Sequence, residues 1–507
     1  MLRSNVVPSD QTNSSPAAEV LVALAPGPGT LRHRLEDALL EAVASGRLAP
    51  GTALPPSRTL AESLGISRWV VTETYGHLVG KGVLEARTGS ATRVAATADG
   101  GTADGSVGSE RRERTTVRSA ADGGPHEPAP ERAPSRATYD LAPGVPDLRH
   151  VPREAWARAV REALAVAANE DLGGQPAAGH PAARAAVSTH LRRARAAAGG
   201  EAGVVLTRGA TDGMSRVATA LASAGHTHLL VEDPSWAPLR DVAAAAGLVP
   251  VPVPVDDDGV SVGRLRTEAA RTGARAVLLT PAHQFPLGGV LSDERRAAVL
   301  DWAREADGLV IEDDYDAEFR YDRRPVPALQ GLDADRVLLL GSTSKTLAPA
   351  FGIGWMVVPP RWRAAVLEAS VRRGPTPGPA TTDQLALAHL LGDGAYARHL
   401  RAARGRYARR RAALLAALDR VLPGARVGGI AAGMHVTVDL AGPDGTGPDA
   451  ADVVREAAAR DVAVADVRRY LAAPPARSTV LVVGYGNIAD ARLEAAVRAL
   501  RAAVDAA

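Results

Sequence analysis

A lysine lies in a Ser/Thr/Gly loop of a chain in which almost every other cationic residue is arginine. Of its 59 lysine and arginine residues, only Lys81 and Lys345 are lysine. Lys345 lies in GSTSKTLAP, directly after the apolar run RVLLL, which predicts a strand. An arginine stays protonated in proteins, whereas a partly buried lysine can lose its proton and attack an aldehyde. The pattern indicates Schiff-base chemistry at Lys345; the alternative is an exposed loop lysine.

Acidic residues follow another apolar run, in VIEDDYD. An aldehyde cofactor bound to lysine needs an electron sink, and pyridoxal phosphate provides one when a carboxylate keeps its ring nitrogen protonated. We choose Asp313 for this role and expect Tyr315, on the same side of the strand, to hydrogen-bond the ring phenolate oxygen. Asp314 should point away. The alternatives are a solvated acidic turn and a metal site made of Glu312, Asp313, Asp314 and Asp316.

Two further segments could bind the phosphate and the aromatic ring of such a cofactor. The segment TRGATDG places Gly209, Ala210 and Thr211 between a strand and a helix, where backbone N–H groups can bind a phosphate. Trp236, in EDPSWAPLR, follows the next strand and could present an aromatic face to the ring. A lone tryptophan is more often a core residue, so this assignment depends on its context.

Composition limits the class of protein that can carry these residues. A chain of 507 residues is too long for one core and predicts two or three domains. Its net charge of +2 gives no argument for nucleic acid, so DNA binding must come from a local motif. Cysteine is absent, which excludes disulfides and thiolate metal sites. Without a long apolar run or a leader pattern, we expect a soluble cytoplasmic protein that does not enter a membrane.

The pattern divides the chain into four parts. Residues 1–29 and 96–138 have few large apolar side chains, which predicts a disordered tail and a flexible linker. From residue 139 to 507, helical stretches alternate with short apolar strands and predict an α/β domain with a largely parallel sheet. The expected strands are GVVLTRG, HLLVEDP, AVLLTPA, GLVIEDDY, RVLLLGS and GWMVVP, followed after about residue 361 by a smaller α+β part with GMHVTVDL and TVLVVGYG.

Residues 30–95 predict three helices and a wing. Apolar residues spaced four apart in LRHRLEDALLEAVASG indicate one amphipathic helix that stops at Gly46. Two more helices follow, with Ser57 and Ser67 as their caps and Gly65 as the break between them. The segment VLEARTGSATRVAA alternates like two short strands around a turn.

In such a helix-turn-helix, the second helix enters the major groove and its first side chains meet the bases. Those residues are Ser67, Arg68 and Trp69, and Arg68 could bind a guanine edge. Arg58 and Arg93 would contact phosphates or the minor groove. The alternative is a small helical subdomain with a few solvated arginines.

The chain resembles the MocR subgroup of GntR-type transcriptional regulators, in which a winged helix-turn-helix is fused to an aminotransferase-like domain of fold type I. The resemblance covers about residues 30–95 and 139–505. The motifs that carry it are LPPSRTLAESLGISRWVVTETYGHL, GVPDLRHVP, TPAHQFPLGG, IEDDYDAEFRY and SKTLAPAFGIGW. It implies that Lys345 binds pyridoxal phosphate as a Schiff base, that Asp313 holds the pyridine nitrogen and that Trp236 stacks on the ring.

The resemblance also implies a phosphate site and reveals departures from the family pattern. Ser342, Ser344 and the turn 209–211 would face the phosphate. The family commonly has a phosphate-binding arginine where this chain has Gly352. A tyrosine that reaches the neighbouring subunit's site is replaced by Gly174.

Two more departures concern the substrate. Val482 replaces an arginine that grips a substrate carboxylate, and Arg477 or Arg240 is a candidate substitute. The pair Phe285-Pro286 stands where aminotransferases usually have Asn-Pro. Together these changes predict little or no turnover.

The sequence thus predicts a homodimeric regulator that binds an operator in double-stranded DNA and senses pyridoxal phosphate or an amine adduct of it. The competing interpretations are a working aminotransferase with an incidental DNA-binding domain, and a regulator that has lost its cofactor.

Overall fold

The computed structural model describes residues 30–44, 48–81, 83–85, 92–95, 137–174, 176–321, 326–372 and 378–507. The chain divides into two compact units, residues 1–126 and 127–507. The predicted tail, nearly all of the predicted linker, Gly46 and the turn of the wing lie outside the described residues. No helix in the described ranges is long and apolar enough to cross a membrane.

The first unit is a winged helix-turn-helix, as predicted. Its elements are α1 (Leu31–Ala44), α2 (Ser57–Leu64), α3 (Arg68–Gly80), β1 (Leu84–Glu85) and β2 (Arg93–Val94). The two strands pair antiparallel. Apolar residues of all three helices and both strands pack into one core that includes Leu39, Leu60 and Val71.

Of the four helix boundaries predicted in this unit, Gly46 lies outside the described residues and two of the other three are confirmed. Gly65 ends α2 in the left-handed conformation with φ of 64°, and Ser67 caps α3 by accepting a hydrogen bond from the Val70 N–H. The prediction that Ser57 caps α2 was wrong. Pro56 holds the N-cap position, so Ser57 is already inside α2, and its hydroxyl accepts a hydrogen bond from Arg68 Nε at 3.4 Å.

The helices of the second unit are α4 (Arg153–Val166), α5 (Asn169–Gly173), α6 (Pro181–Arg195), α7 (Gly200–Gly203), α8 (Ala210–Ser223), α9 (Ala237–Ala245), α10 (Val262–Thr272), α11 (Asp293–Glu305), α12 (Pro360–Val371), α13 (Thr381–Gly392), α14 (Ala395–Val421), α15 (Ala450–Ala459) and α16 (Leu493–Val504). Its strands are β3 (Tyr139–Asp140), β4 (Val204–Thr207), β5 (His228–Asp233), β6 (Val249–Asp256), β7 (Gly259–Val260), β8 (Ala276–Leu279), β9 (Leu309–Asp313), β10 (Val337–Ser342), β11 (Gly354–Val357), β12 (Arg426–Gly428), β13 (His435–Asp439), β14 (Val462–Ala463), β15 (Ala465–Asp466) and β16 (Val480–Gly484).

An eight-stranded sheet organises this unit in the order β4-β11-β10-β9-β8-β5-β6-β7. Strands β10, β9, β8, β5 and β6 run parallel to their neighbours, and only β11 and β7 pair antiparallel. Because β11 is antiparallel to both β10 and β4, the carboxyl ends of β4, β5, β8, β9 and β10 meet at one edge. All the apolar segments predicted as strands form strands here or in the smaller sheet.

Strand β6, in VPVPVPVD, is one that the sequence analysis missed because prolines interrupt it. A strand's N–H groups point alternately to its two sides, so prolines at every second position remove donors from one side only. The Val249 N–H donates to Thr227 on the β5 side, and the Pro254 carbonyl faces the other side, where it accepts from Ser261. The prolines therefore leave the ladder to β5 intact.

A smaller antiparallel sheet, β12-β13-β16-β15, packs with α14 and α16 around a second core. It carries His435 on β13 and Val482 on β16. This part corresponds to the predicted α+β region.

Candidate functional site

Loops from the carboxyl edge of the large sheet bring the predicted residues together. The turn 209–211 follows β4, Trp236 follows β5, Asp313 ends β9 and Lys345 follows β10. Open α/β sheets bind ligands at this edge, because loops from neighbouring strands converge there.

Lys345 and Trp236 face each other. Lys345 Nζ lies 5.9 Å from the centroid of the Trp236 ring and donates a hydrogen bond of 2.5 Å to the Gly144 carbonyl. The Trp236 ring meets Phe285 edge-on at 5.6 Å and lies nearly parallel to Tyr470 at 6.3 Å. The indole is therefore held by aromatic neighbours beside the lysine.

Asp313 is a buried carboxylate whose hydrogen-bonding capacity is not fully used. Its Oδ1 has no hydrogen-bond partner among the described residues. Burial, reinforced by the negative charge of Asp314, raises the pKa of Asp313 to about 7, while the positive charge of Lys345 acts in the opposite direction. A buried acceptor of this kind fits a ligand that brings an N–H donor, such as a protonated pyridine nitrogen.

The other acids of VIEDDYD engage different partners. Asp314 points away, as predicted, and its two oxygens accept from Arg195 at 2.8 and 3.0 Å. Glu312 accepts from the backbone N–H groups of Leu329 and Gln330. In the described part of the chain, no three of the four acids place their oxygens within ligating distance of one another. The four-acid metal alternative was therefore wrong.

A buried hydrogen-bond network behind Tyr315 was not predicted. Tyr315 Oη lies 3.0 Å from His283 Nδ1, and Asp316 Oδ2 lies 2.9 Å from the same nitrogen. The ring of His435 lies 5.1 Å from that of His283, and His435 Nε2 lies 3.1 Å from the Pro286 carbonyl. Burial lowers the pKa of His435 to about 3, with a further contribution from His283, so His435 is neutral.

This network joins residues that are distant in sequence, from the loops after β8 and β9 and from β13 of the smaller sheet. His283 lies within the motif TPAHQFPLGG, and that motif was the only signal that could have pointed to it. Potential ligand atoms of His283, Asp316 and His435 also lie within 4.8 Å of one another, the one such group of three among the described residues.

The predicted phosphate side is assembled from three strand ends. Helix α8 begins at Ala210, so the N–H groups of its first turn have no acceptor within the helix. Gly354, at the start of β11, pairs with Ser342, and a Cβ atom on Gly354 would lie 2.7 Å from the Gly209 Cα. The Ser344 N–H donates to Ser342 Oγ at 3.4 Å. The absence of a side chain at Gly354 thus allows the turn to approach the serine loop.

On the first unit, Arg68 and Trp69 open α3 on the surface, and the Trp69 side chain is 67% exposed. Arg58 forms an exposed ion pair with Glu62 at 3.1 Å. Arg93, on the wing strand β2, donates to the Gly51 carbonyl at 3.0 Å, which holds the guanidinium against the segment between α1 and α2. An exposed tryptophan and arginine at the start of the second helix of a helix-turn-helix are typical of a base-reading surface.

Two family models match the chain. Residues 31–94 match "Bacterial regulatory proteins, gntR family", and residues 138–499 match "Aminotransferase class I and II". The probable rhizopine catabolism regulatory protein MocR of Rhizobium meliloti is 34% identical over 77% of this chain and 78% of its own length. The pyridoxine biosynthesis regulator PdxR of Corynebacterium glutamicum is 32% identical over 83% and 86%. The chain belongs to the MocR subgroup of GntR-type transcriptional regulators.

Solved structures agree on the fold of the larger unit. An archaeal alanine:glyoxylate aminotransferase has a TM-score of 0.66 at 24% identity and covers 73% of this chain and 91% of its own. Kynurenine aminotransferase of Pyrococcus horikoshii has a TM-score of 0.64 at 23% identity, over 72% and 90%. At this identity the likeness shows that the MocR-type unit has the fold-type-I aminotransferase fold.

The departures from the MocR pattern have distinct surroundings. Gly352 adopts φ of +57° with nothing within 4 Å of a Cβ atom built on it. Gly174 lies beside Arg208 and Thr381 in an open groove of about 410 Å³. Val482 is fully buried in an apolar cluster with Phe285.

The two candidate substitutes for the missing arginine differ in position. The Arg477 side chain is 74% exposed and lies 3.6 Å from Asp449. Arg240 is buried on α9, one turn beyond Trp236, and its guanidinium lies 3.6 Å from Asp233.

Proposed function

We propose that this transcriptional regulator uses its aminotransferase-like unit to sense pyridoxal phosphate, or an amine adduct of it, and thereby changes how its helix-turn-helix units bind an operator. Lys345 would hold the cofactor as a Schiff base, and Trp236 would cover its ring. The turn 209–211, Ser342 and Ser344 would bind the phosphate. We also propose that the regulator acts as a homodimer.

One observation carries the cofactor proposal. Asp313 presents a buried oxygen without a partner among the described residues at the same sheet edge as Lys345. A buried, unpaired carboxylate oxygen is costly and is retained where a ligand satisfies it. Pyridoxal phosphate supplies an electron sink, and it needs both a lysine and an acceptor for its ring N–H.

The test uses the unusual lysine content of the chain. Protein mixed with pyridoxal phosphate should absorb in the visible, and borohydride should fix the cofactor to Lys345. Lys345→Arg keeps the charge but cannot form an imine, so it should lose the band. Lys81→Arg, at the only other lysine, is the matched control and should keep it. A colourless wild-type protein that still binds its operator would support the regulator without a cofactor.

Sensing has its own measurement. Pyridoxal phosphate should alter the operator affinity of the wild-type protein and of Lys81→Arg, and should leave that of Lys345→Arg unchanged. An equal response in all three proteins would contradict sensing through the Schiff base.

The second candidate is a working aminotransferase, which the fold and the grouping of Lys345, Asp313 and Tyr315 favour. Against it, Val482 is buried among apolar side chains where the family has a carboxylate-binding arginine. We therefore expect transamination of common amino acids near background. Turnover in the ordinary enzyme range, about 1–10³ per second, would establish the second candidate instead.

A further inference from the structure

The network of Tyr315, His283 and Asp316 lies directly behind the proposed cofactor site. His283 Nδ1 lies within 3.1 Å of three oxygen atoms, both Asp316 carboxylate oxygens and Tyr315 Oη. The side chains of His283 and Asp316 are each 1% exposed, so water does not compete for these contacts. Such a network is strongly ordered when its members are satisfied.

The hydrogen on His283 can be assigned from its neighbours. A carboxylate only accepts hydrogen bonds, so Asp316 selects the form with a hydrogen on Nδ1. His283 Nε2 is buried and has no partner among the described residues, so a hydrogen there would be an unsatisfied donor. The Nδ1–H of His283 is therefore directed at Asp316 and Tyr315.

The main chain holds this arrangement in place. Gly433 has φ of +67°, and a Cβ atom on it would lie 2.2 Å from His283 Cε1 and 2.6 Å from Asp316 Oδ2. Only glycine leaves room for the pair and adopts this backbone conformation without strain.

Tyr315 is the member of the network that can reach the site. It packs against the cluster that contains Phe285 and Trp236. Its pKa is raised well above the usual value, first by burial and then by the negative charges of Asp316 and Asp313. The neighbouring Phe285 is a hydrocarbon and offers no hydrogen bond, so the phenol of Tyr315 provides the polar contact on this side.

We propose that His283, held by Asp316, is a positioning residue that fixes the Tyr315 hydroxyl as a hydrogen-bond donor to an anionic oxygen of the ligand on Lys345. This inference rests on the proposed function, in which the oxygen is the phenolate of pyridoxal phosphate. A hydrogen bond to that oxygen lowers the proton affinity of the imine nitrogen conjugated with it.

A double-mutant cycle on the full chain loaded with pyridoxal phosphate tests the proposal. The readout is the pH midpoint of the visible band, together with cofactor affinity. His283→Phe should raise the midpoint by about one pH unit and weaken binding about tenfold. His283→Asn keeps a donor near the Nδ1 position and should restore most of both values.

The cycle shows whether His283 acts through Tyr315. In a Tyr315→Phe background, His283→Phe should have no further effect, because neighbours that act as a unit are not additive. Asp316, Asp313 and Glu232 also face Tyr315 and stay unchanged in every variant. The control is His190→Asn, which alters another histidine–carboxylate pair, half-buried, with Glu318 at 2.7 Å, and should leave the midpoint unchanged.

Several results would overturn the proposal. One is an unshifted midpoint in His283→Phe, and another is a shift of equal size in the Tyr315→Phe background. One equivalent of zinc retained by the wild type and lost in His283→Phe would also refute it, because His283 would then be a metal ligand and not a positioning residue for Tyr315. A wild-type protein without a visible band would refute the proposed function itself, whereas unshifted bands in all variants refute only this inference.

Discussion

Arg68 and Arg58 begin consecutive helices of the winged helix-turn-helix, but they differ in what they can read. Arg68 opens α3, the helix that we expect to meet base edges, and its Nε donates a hydrogen bond to Ser57. Arg58 is exposed and paired with Glu62, and an exposed pair of this kind is worth only about 0–1 kcal/mol, so Arg58 can exchange Glu62 for a phosphate.

We therefore expect Arg68→Ala to cost about 1–3 kcal/mol on the cognate operator and to relax base preference. Arg58→Ala should weaken all sequences alike and reduce the salt dependence. Binding titrations on operator and scrambled DNA at two salt concentrations measure both effects. Unchanged operator affinity in both variants would contradict the assignment of α3.

Asp313 and Asp314 are adjacent, and burial raises the pKa of both, but Asp314 is the one that forms an ion pair, with Arg195, so the same substitution should have opposite effects at the two positions. The folded-state pKa of Asp313, about 7, lies above the ordinary value of 3.8, so its charge destabilises the folded protein as the pH rises from about 4 to 7. A shift of this size corresponds to about 4 kcal/mol at most.

In protein prepared without pyridoxal phosphate, Asp313→Asn should raise the unfolding temperature at pH 8 by a few degrees, with a gain that shrinks toward pH 4. Asp314→Asn should lower it, because Arg195 would lose its buried partner. Thermal scans across this pH range test the pair. A pH-independent effect of Asp313→Asn would show that its oxygen is satisfied in the unliganded protein.

At the scale of elements, one ion pair ties α1 to the end of α3. Glu36, with only 5% of its side chain exposed, accepts from Lys81 at 2.7 Å, and His77 lies 3.0 Å away. The hydrogen bond from Lys81 leads the effects that lower the pKa of Glu36. The ionised form of Glu36 therefore stabilises the fold above its unfolded pKa, and this contribution is lost as the pH falls through the lowered value.

Lys81→Met should destabilise the first unit by about 1 kcal/mol near neutral pH, and the difference should vanish once the pH has fallen below the lowered pKa of Glu36. Amide hydrogen exchange in α1 and α3 peptides of the full chain measures it without isolating the unit. Arg58→Met, which breaks an exposed pair, should leave those peptides unchanged. Faster exchange in both variants would indicate a general loss of charge rather than the Glu36 pair.

Local signals in the sequence were enough to predict most elements, because apolar periodicity and caps act over a few residues. Gly65 and Ser67 were found in this way, and the apolar strands placed Lys345 and Asp313 at one sheet edge. Strand β6 was missed because alternating prolines resemble a loop, although they disturb only one side of the ladder. The His283 network was missed because it joins the loops after the paired strands β8 and β9 to β13 of the smaller sheet, which comes close only through tertiary packing.

At the scale of the whole molecule, a homodimer would present two helix-turn-helix units, each joined to the larger unit by residues 96–138. When one of two linked helix-turn-helix units (the heads) is bound, the other is held at a high effective concentration near the DNA. DNA with two half-sites should therefore bind far more tightly than DNA with one. If those residues form the linker that their composition predicts, about 40 residues reach roughly 35 Å on average.

That reach sets the expected dependence on half-site spacing. Inserting five base pairs turns one half-site by about half a helical turn and moves it by roughly 17 Å, which is within the reach of the linker. We therefore expect less than about a threefold loss of affinity in the absence of pyridoxal phosphate. If the cofactor biases the placement of the heads, its addition should sharpen the spacing dependence for the wild type and leave Lys345→Arg unchanged. A different result would contradict the linker prediction. If, without cofactor, the operator affinity fell tenfold or more after an insertion of five base pairs and recovered after an insertion of ten, the two helix-turn-helix units would already be held in a fixed register.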